Sequence, residues 1–362
     1  DARRRLLRAA VRGQRTEPAD PSRARTYQKK QCTIFDVRSP SEFQKGSVPG
    51  AINMPLLDDE QRHKVGIVYK EQGKHEAISL GLQMFSLSSK RFLDTIYKHI
   101  NSNNKPIIVY CLRGGMRSTS VGKLLATLNT PVKILCGGYK EYRQMVAQQL
   151  DELTERDFLV LNGKTGVGKT KLLNKLKRIN LPLLDFEDIA RHRGSAFGGL
   201  GQKYPSRTQQ NFENILATAH NKINTNKPIL VEIETCLGPV TLPKKLQNKI
   251  KSSPMVYLNR EFYERVKIIE EEYLKNWNKK EELIFIKRMN LLKKYISAST
   301  LEMIISKIKK HDFHFVISEL LRVRYDSAYE KSLKRHSHQV IARFNLTHEE
   351  SKAISYLVKH CV

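Results

Sequence analysis

The chain has 362 residues, which is enough for two or three domains with separate cores. Hydrophobic residues make up 40% of the sequence, and no stretch approaches the length of a membrane span. The formal net charge of +28 predicts a polyanionic partner, with nucleic acid as the first candidate and solvated charged faces as the alternative. The five cysteines lack the spacing of metal ligands or of a disulfide framework, so we expect a reducing, cytoplasmic location.

The first 28 residues differ in composition from the rest of the chain. Residues 1–25 contain eight arginines and no lysine, whereas lysine, asparagine and isoleucine become frequent from Lys29 onward. We predict that residues 1–28 form a basic extension that is either disordered or an amphipathic organelle-targeting helix. A segment joined by a wrong start site is another interpretation. Because the chain begins with Asp, we expect it to be processed or incomplete.

Residues 29–150 alternate short apolar runs with helical patterns, which predicts an α/β domain. A short helix is predicted to begin after Ser39, since Glu42 three residues later completes a capping box. The predicted strands cover residues 33–38, 46–55, 106–110 and 132–139.

A cysteine directly follows the strand at 106–110, in the segment Cys111–Ser118. A thiol at this position meets unpaired backbone N–H groups at the start of a helix, and nearby arginines also favour the reactive thiolate. The alternative is a buried structural cysteine. We predict that Cys111 is catalytic and that four neighbours complete an anion site: Arg113, Gly114, Gly115 and Arg117.

This domain resembles the rhodanese family. The matching residues occur in order along the chain: Asp36-Val37-Arg38, Glu42-Phe43, Gly46, Val48–Pro55, Cys111 and Gly137-Gly138-Tyr139. The resemblance implies that Cys111 carries the transferred group and that Asp36 and Arg38 are structural. Five residues separate Cys111 from Arg117, one more than in the usual sulfur-transfer loop. That longer spacing permits a phosphatase, an arsenate reductase, or transfer of an atom larger than sulfur.

Residues 151–260 are predicted to form a second α/β domain after a linker at 151–157. A strand at 158–161, a GxxxxGK[ST] segment and a helix at 171–176 follow in the order that a phosphate loop requires. Backbone N–H groups would hold phosphate oxygens, Lys169 would neutralise them, and Thr170 would ligate Mg²⁺ or touch phosphate. The predicted phosphate-binding residues are Gly163, Lys164, Thr165, Gly166, Val167, Gly168, Lys169 and Thr170.

Two further segments of this domain carry charge. The strand at 230–234 ends in carboxylates that either serve a Walker B role or are solvated. The segment 191–198 suggests an anion-binding turn, but its composition alone is that of a polar loop, and only the family resemblance given below favours substrate binding. The candidate substrate-binding residues are Arg191, His192, Arg193, Ser195, Glu232 and Glu234. Residues 261–362 are predicted to be helical. Their lysine clusters and tyrosines suggest an RNA-facing surface or a solvated helical cap.

The combination of these motifs resembles the tRNA 2-selenouridine synthases, from about Phe35 to about Tyr329. The segments 65–73 and 212–214 agree with the resemblance. Two positions differ from the family pattern: the arginine that usually occurs shortly after the strand acids is absent after Glu234, and Ser327 stands where a proline is usual. The resemblance implies that the phosphate-loop domain transfers geranyl from geranyl diphosphate to the sulfur of wobble 2-thiouridine in tRNA. Selenium from selenophosphate then replaces this sulfur in a step that requires Cys111. A selenophosphate-supplying enzyme is an expected partner, and Mg²⁺ is a candidate cofactor.

Two competing functions belong to other classes. One is a rhodanese-fold cysteine phosphatase or arsenate reductase fused to a nucleotide-binding domain, although Ser118-Thr119-Ser120 supplies no general acid. The other is a catalytically reduced RNA-binding relative. The intact Cys111, Lys169 and Thr170 argue against this second alternative.

Overall fold

The computed structural model describes residues 17–19, 32–102, 106–195, 197–202, 204–233, 236–335 and 337–361. The chain divides into two compact units, Asp1–Gln148 and Gln149–Val362. Each unit is built on a five-stranded sheet whose strand pairs are all parallel. The structure agrees with the predicted fold class, because both units have parallel α/β sheets and the C-terminal region is mostly helical.

The sheet of the first unit has the strand order β1-β5-β4-β2-β3. Its strands are β1 (Glu17–Ala19), β2 (Thr33–Asp36), β3 (Ile52–Asn53), β4 (Ile107–Tyr110) and β5 (Val132–Leu135). Its helices are α1 (Pro40–Lys45), α2 (Asp59–Glu71), α3 (Lys74–Ser102), α4 (Met116–Thr127) and α5 (Gly138–Thr154). Every residue of β4 is buried, as expected of a central parallel strand covered on both faces. This strand ends at Cys111.

Three predictions for this part of the chain differ from the structure. Glu17–Ala19 lie in the predicted N-terminal extension, yet they form an edge strand that pairs with β5. The targeting-helix prediction concerns residues 3–12, which lie outside the described residues. The strand expected over 46–55 is reduced to Ile52–Asn53. The linker expected at 151–157 is wrong for its first four residues, because they continue helix α5.

The sheet of the second unit has the strand order β12-β11-β6-β8-β7. Its strands are β6 (Phe158–Gly163), β7 (Leu183–Leu184), β8 (Ile229–Glu232), β11 (Met255–Asn259) and β12 (Val340–Asn345), and β9 (Cys236–Leu237) and β10 (Val240–Thr241) form a separate antiparallel pair. Its helices after α5 are α6 (Lys169–Arg178), α7 (Phe186–Ala190), α8 (Gln209–His220), α9 (Lys244–Ser252), α10 (Phe262–Tyr273), α11 (Lys279–Met289), α12 (Ala298–Lys309), α13 (Phe313–Leu320), α14 (Asp326–Arg335) and α15 (Glu350–Cys361).

The C-terminal region is mostly helical, but it also completes the sheet of the phosphate-loop domain. Strand β12 pairs in parallel with β11, and the sequence analysis did not predict it. Ala353 and Leu357 on α15 are buried in the same apolar cluster as Leu159 and Leu161 on β6. The core below the phosphate loop therefore needs residues from the end of the chain. Among the described residues, no helix is both long and apolar enough to cross a membrane.

Candidate functional site

Cys111 lies at the carboxyl end of β4, between the neighbouring strands β2 and β5. Its side chain is buried, and its Sγ is 3.3 Å from the Oγ of Ser118 on the first turn of α4. The Ser118 hydroxyl also lies 3.0 Å from the carbonyl oxygen of Gly115. The end of the strand therefore places the sulfur inside the loop that leads into α4.

The loop favours the thiolate form of Cys111. Burial acts to raise the pKa of this thiol. Hydrogen bonds from the Ser118 hydroxyl and from the backbone N–H groups of Ser118 and Arg113 oppose burial, and the charge of Arg117 adds to them. Together the hydrogen bonds and the arginine charge outweigh the effect of burial, so the pKa of Cys111 lies below its ordinary value. A depressed pKa keeps more of the thiol in its nucleophilic form near neutral pH.

Gly138 packs closely against the cysteine loop. Gly138 has φ +61°, and a Cβ there would lie 2.4 Å from the carbonyl oxygen of Cys111 and 2.5 Å from the nitrogen of Gly114. The next two N–H groups, of Tyr139 and Lys140, donate to the carbonyl oxygens of Cys111 and Leu112, each at 2.9 Å. This close contact explains why glycine is needed at position 138.

The predicted anion-site arginines have different positions. Arg117 pairs with Glu42 through Nη1 and Oε2 at 2.7 Å, which anchors the start of α4 to α1. Arg113 is exposed at the rim of the loop. Asp36 and Arg38 form a buried ion pair, and the Arg38 guanidinium lies 3.9 Å from the centre of the Tyr139 ring. Their geometry agrees with the structural role expected from the rhodanese resemblance.

The phosphate loop connects β6, a central strand, to α6. Gly166 and Gly168 have φ +80° and +90°, a left-handed conformation that directs consecutive N–H groups toward one concave side. The Nζ of Lys169 donates to the carbonyl oxygen of Gly163 at 2.7 Å and lies 5.6 Å from the centre of the Tyr329 ring. The lysine is thus held across the loop that it would serve.

Two arginines hold the outer side of this loop. The Nε of Arg265 donates to the carbonyl oxygen of Thr165, and the Nε of Arg260 donates to that of Val167, both at 2.9 Å. Arg265 is buried and also pairs with Asp326 through Nη1 and Oδ2 at 2.9 Å. Because these carbonyl oxygens are engaged by arginines, the opposite face of the loop is left to N–H groups, as anion binding requires.

A cleft of about 470 Å³ opens beside the loop. Its floor is formed by the phosphate-loop residues 165–170. Of the predicted phosphate-binding residues, Gly163 and Lys164 do not line it, and the Nζ of Lys164 instead contacts Oε1 of Glu330 at 2.7 Å. Arg193, Ser195 and Glu232 line the cleft as candidate substrate-binding residues.

The other candidates from the sequence lie elsewhere. His192 does not line the cleft or a recess beside it. Its ring is buried against Gly198 and Gly238, and a Cβ on either glycine would lie 2.7 Å or less from a ring atom. Burial and nearby arginines lower its pKa, so the ring is a neutral packing element. Arg191 lies in a recess beside the cleft. Glu234 lies outside the described residues.

The cleft also contains residues that the sequence analysis did not assign to it. A π-helical turn over Leu321–Tyr325 brings Arg324 and Tyr325 into the wall, and Tyr329 follows on α14. The sequence suggested these tyrosines for stacking on RNA or for a helical cap, and the structure places Tyr325 and Tyr329 beside the phosphate loop. Glu272 on α10 lines the cleft as well, and burial raises its pKa despite the opposing charges of nearby basic residues. These residues are distant from the motif in sequence, so local spacing gave no signal for them.

The fit of Mg²⁺ can be judged from the oxygen donors in the cleft. Thr170 and Glu232 line the same space, and both offer the hard oxygen ligands that Mg²⁺ prefers. Among the described residues, no group of three His, Cys, Asp or Glu side chains is arranged to hold a metal by itself. Mg²⁺ typically uses one or two protein oxygens together with substrate phosphates. The donors therefore fit a metal that arrives with a phosphorylated ligand.

Together, the folds and loops define a rhodanese-like domain joined to a phosphate-loop domain. The family model described as "Rhodanese-like domain" matches residues 21–145, and the one described as "tRNA 2-selenouridine synthase AAA domain" matches residues 156–290. Three curated relatives named tRNA 2-selenouridine synthase agree with this assignment. The protein of Nitrosomonas europaea is 40% identical over 251 residues, covering 67% of this chain and 63% of the relative. That of Bdellovibrio bacteriovorus is 33% identical, covering 71% and 68%, and that of Sulfurovum sp. is 32% identical, covering 86% and 92%.

The chain therefore belongs to the tRNA 2-selenouridine synthase family. It spans less than two thirds of the length of the Nitrosomonas relative, but nearly all of the Sulfurovum one. The match with the Sulfurovum protein includes both loops in one alignment of 339 residues.

Proposed function

We propose that this protein converts the wobble 2-thiouridine of tRNA to 2-selenouridine in two steps, using one loop for each step. The observation that carries the proposal is the presence of a thiolate-stabilising loop and a complete phosphate loop on one chain of this family. A function that uses only one of the two loops does not account for the presence of both. A phosphatase would need only the first, and a nucleotide switch only the second.

In the first step, the sulfur of 2-thiouridine attacks C1 of geranyl diphosphate. The new bond is C–S, the C1–O bond breaks, and diphosphate leaves with the electron pair while the uridine loses its N3 proton. The N–H groups of residues 165–170 and the Lys169 ammonium support this step, because they meet the negative charge that grows on the departing diphosphate. Arg193 and Arg324 add positive charge to the same cleft.

The recess beside the cleft is our candidate for the path of the RNA. It has a volume of about 550 Å³ and shares Thr170, Glu187 and Arg193 with the cleft. In it the Arg191 guanidinium lies 4.7 Å from the centre of the half-exposed Tyr204 ring. Arginine and exposed tyrosine are residue types that contact phosphates and stack on unpaired bases. We expect Tyr204→Ala to weaken tRNA binding by roughly tenfold without changing the affinity for inorganic diphosphate.

In the second step, selenium replaces the geranylated sulfur. Geranylation makes the sulfur a better leaving group, so C2 of the base gains selenium and releases geranyl thiol, while water converts the remainder of selenophosphate to phosphate. The Cys111 loop supports this step because it offers a nucleophilic sulfur surrounded by anion-binding N–H groups. Selenophosphate would be supplied by a separate enzyme. Mg²⁺, if bound with the diphosphate, would be held by Thr170 and Glu232 and would add positive charge beside the phosphates.

One experiment tests the proposal as a whole. The protein is incubated with 2-thiouridine-containing tRNA, geranyl diphosphate and selenophosphate, and the digested nucleosides are measured by mass spectrometry. We expect S-geranyl-2-thiouridine when selenophosphate is omitted and 2-selenouridine when both co-substrates are present. If folded protein yields neither nucleoside, the proposed function is wrong. Hydrolysis of an artificial phosphate ester that is lost in Cys111→Ser would instead favour a phosphatase.

A further inference from the structure

A second, apolar space adjoins the phosphate cleft. This chamber has a volume of about 70 Å³ and is lined by side chains from α10–α13, the Leu320–Leu321 segment and the segment around Phe197. It shares five lining residues with the cleft, which form its mouth: Thr165, Ser195, Ile269, Tyr273 and Tyr325. A ligand held by the phosphate loop therefore has direct access to the chamber.

Aromatic rings form the interior of the chamber. The Phe197 and Phe285 rings are stacked with their centres 4.6 Å apart, and Trp277 meets Phe313 edge to face at 5.1 Å. Val316 and Leu320 complete the lining on α13. All of these residues belong to or pack against one apolar cluster. The chamber is thus a gap in a hydrophobic core that opens toward a charged cleft.

The distribution of polar side chains indicates what kind of ligand fits. The lining side chains with a polar atom lie at the mouth, except for Trp277. A nucleobase buried in this interior would leave most of its donors and acceptors unpaired, which costs free energy for each group. A hydrocarbon chain has no hydrogen bonds to lose there, and its transfer from water into the apolar chamber is favourable in free energy. The pair of spaces therefore suits an anionic head joined to an apolar tail.

We propose that the chamber binds the far end of the prenyl chain of the diphosphate donor and sets the chain length that the protein accepts. The inference rests on the proposed geranyl transfer. With the diphosphate on the phosphate loop, the first isoprene unit lies at the mouth against Ile269, Tyr273 and Tyr325, and the second enters the chamber. Dry cavities of about 150 Å³ take one benzene ring, so a space of about half that volume holds only the terminal carbons of the second unit and has no room for a third unit.

Binding of three prenyl diphosphates tests this length limit. Dimethylallyl diphosphate, with five carbons, should bind on the order of 100-fold more weakly than geranyl diphosphate, because it leaves the chamber unfilled. Farnesyl diphosphate, with fifteen carbons, should bind at least about tenfold more weakly than geranyl diphosphate, because its last unit overfills the core. Equal affinity for all three chains would overturn the proposal.

A pair of substitutions tests whether the chamber itself binds the prenyl chain. Ile317→Trp fills the chamber from α13, whereas Ile305→Trp enlarges another partly buried isoleucine, which packs against the apolar cluster of the chamber without lining the chamber. We expect Ile317→Trp to weaken geranyl diphosphate binding at least about tenfold relative to Ile305→Trp. Both variants should bind inorganic diphosphate within roughly twofold of the wild type, because the phosphate loop is not altered.

A third variant covers the case in which Ile317→Trp does not fold. Phe313→Ala removes a ring from the chamber wall and should improve farnesyl diphosphate binding relative to geranyl diphosphate. An unchanged preference in this variant, or equal geranyl affinity in the two tryptophan variants, would mean that the chamber is only a packing gap. Wild-type protein that binds inorganic diphosphate but no prenyl diphosphate would instead refute the proposed first step, so the two failures can be told apart.

Discussion

The cysteine loop and the phosphate loop share one local design and differ in what encloses them. Each follows a buried parallel strand and leads into a helix, and each contains positive-φ glycine: Gly114 in the cysteine loop, Gly166 and Gly168 in the phosphate loop. The rim of the cysteine loop is open, since a Cβ on Gly115 would meet no atom within 4 Å. The phosphate loop is held by buried or half-buried arginines and faces walls that include α10, the turn at Leu321–Tyr325 and α14.

The different surroundings of the two loops suggest two ways in which an anion site becomes specific. In the cysteine loop, chemistry depends on one reactive atom whose protonation state is set by its nearest neighbours. In the phosphate loop, the anion site is general, and the walls decide which phosphorylated molecule is accepted. Substitutions in the two loops should therefore fail in different steps and by different amounts.

The largest expected effect follows from removing the reactive atom. Cys111→Ala should lower formation of 2-selenouridine by at least about 10³-fold while S-geranyl-2-thiouridine still accumulates, because only the second step of the proposed reaction uses the sulfur. Nucleoside mass spectrometry measures both products. Cys136→Ala, which removes an exposed cysteine near the same loop, is the control and should retain both activities. Loss of geranylation in Cys111→Ala would contradict the separation of the two sites.

Removing the phosphate-loop lysine should have the next largest effect. Lys169→Ala is expected to slow geranyl transfer by about 10²–10³-fold, since it withdraws a positive charge from the departing diphosphate. Alkylation of Cys111 by iodoacetamide should remain at the wild-type rate. Lys171→Ala, on the exposed face of the same helix, serves as the control and should change geranyl transfer little. Equal slowing in both lysine variants would remove the special role of Lys169.

The brace behind the phosphate loop links stability to binding. Arg265→Met leaves Asp326 with only its longer ion pair to the Nζ of Lys164, at 3.7 Å, and frees the Thr165 carbonyl, so we expect the free energy of unfolding to fall by about 2 kcal/mol. Affinity for inorganic diphosphate should fall as well. Urea unfolding and titration calorimetry measure the two effects. Lys307→Met breaks the half-exposed pair with Asp312 and should cost less than about 1 kcal/mol. A similar cost in both variants would mean that the brace adds no stability.

The smallest expected effect concerns the protonation of Cys111. Ser118→Ala removes the hydroxyl that donates to the thiolate, which raises the pKa of Cys111 from its depressed value. The rate of alkylation at pH 7 should fall roughly fivefold, and its rise with pH should occur at higher pH than in the wild type. Thr119→Ala, which removes the neighbouring hydroxyl, is the control. An unchanged profile in Ser118→Ala would show that the hydroxyl does not stabilise the thiolate.

Sequence predicts the two loops well because each is a local motif. Strand, loop and helix lie within about 20 residues of one another, so spacing alone shows where N–H groups converge. The wall of the phosphate cleft was not predictable in this way. Lys169 meets Tyr329, and Thr165 meets Arg265, only after the C-terminal region packs on the sheet. Strand β12 was missed for the same reason, since its pairing partner β11 lies some 80 residues earlier in the chain.

His192 shows the opposite error. A histidine between two arginines suggested substrate binding, because all three side chains can contact anions. In the structure, the turn carries Arg193 into the cleft and Arg191 into the recess, while the His192 ring fills the space left by Gly198 and Gly238. Gly238 is distant from the histidine in sequence, so this packing role could not be recognised from the local motif.

The separation of labour between the loops is tested most directly with tRNA that already carries S-geranyl-2-thiouridine. The Lys169→Ala protein is given this tRNA and selenophosphate, without geranyl diphosphate, and formation of 2-selenouridine is followed by mass spectrometry. We expect Lys169→Ala to match the wild type, because the intact Cys111 loop performs the only remaining step. Failure of folded Lys169→Ala protein to form 2-selenouridine, under conditions in which the wild type succeeds, would contradict the account.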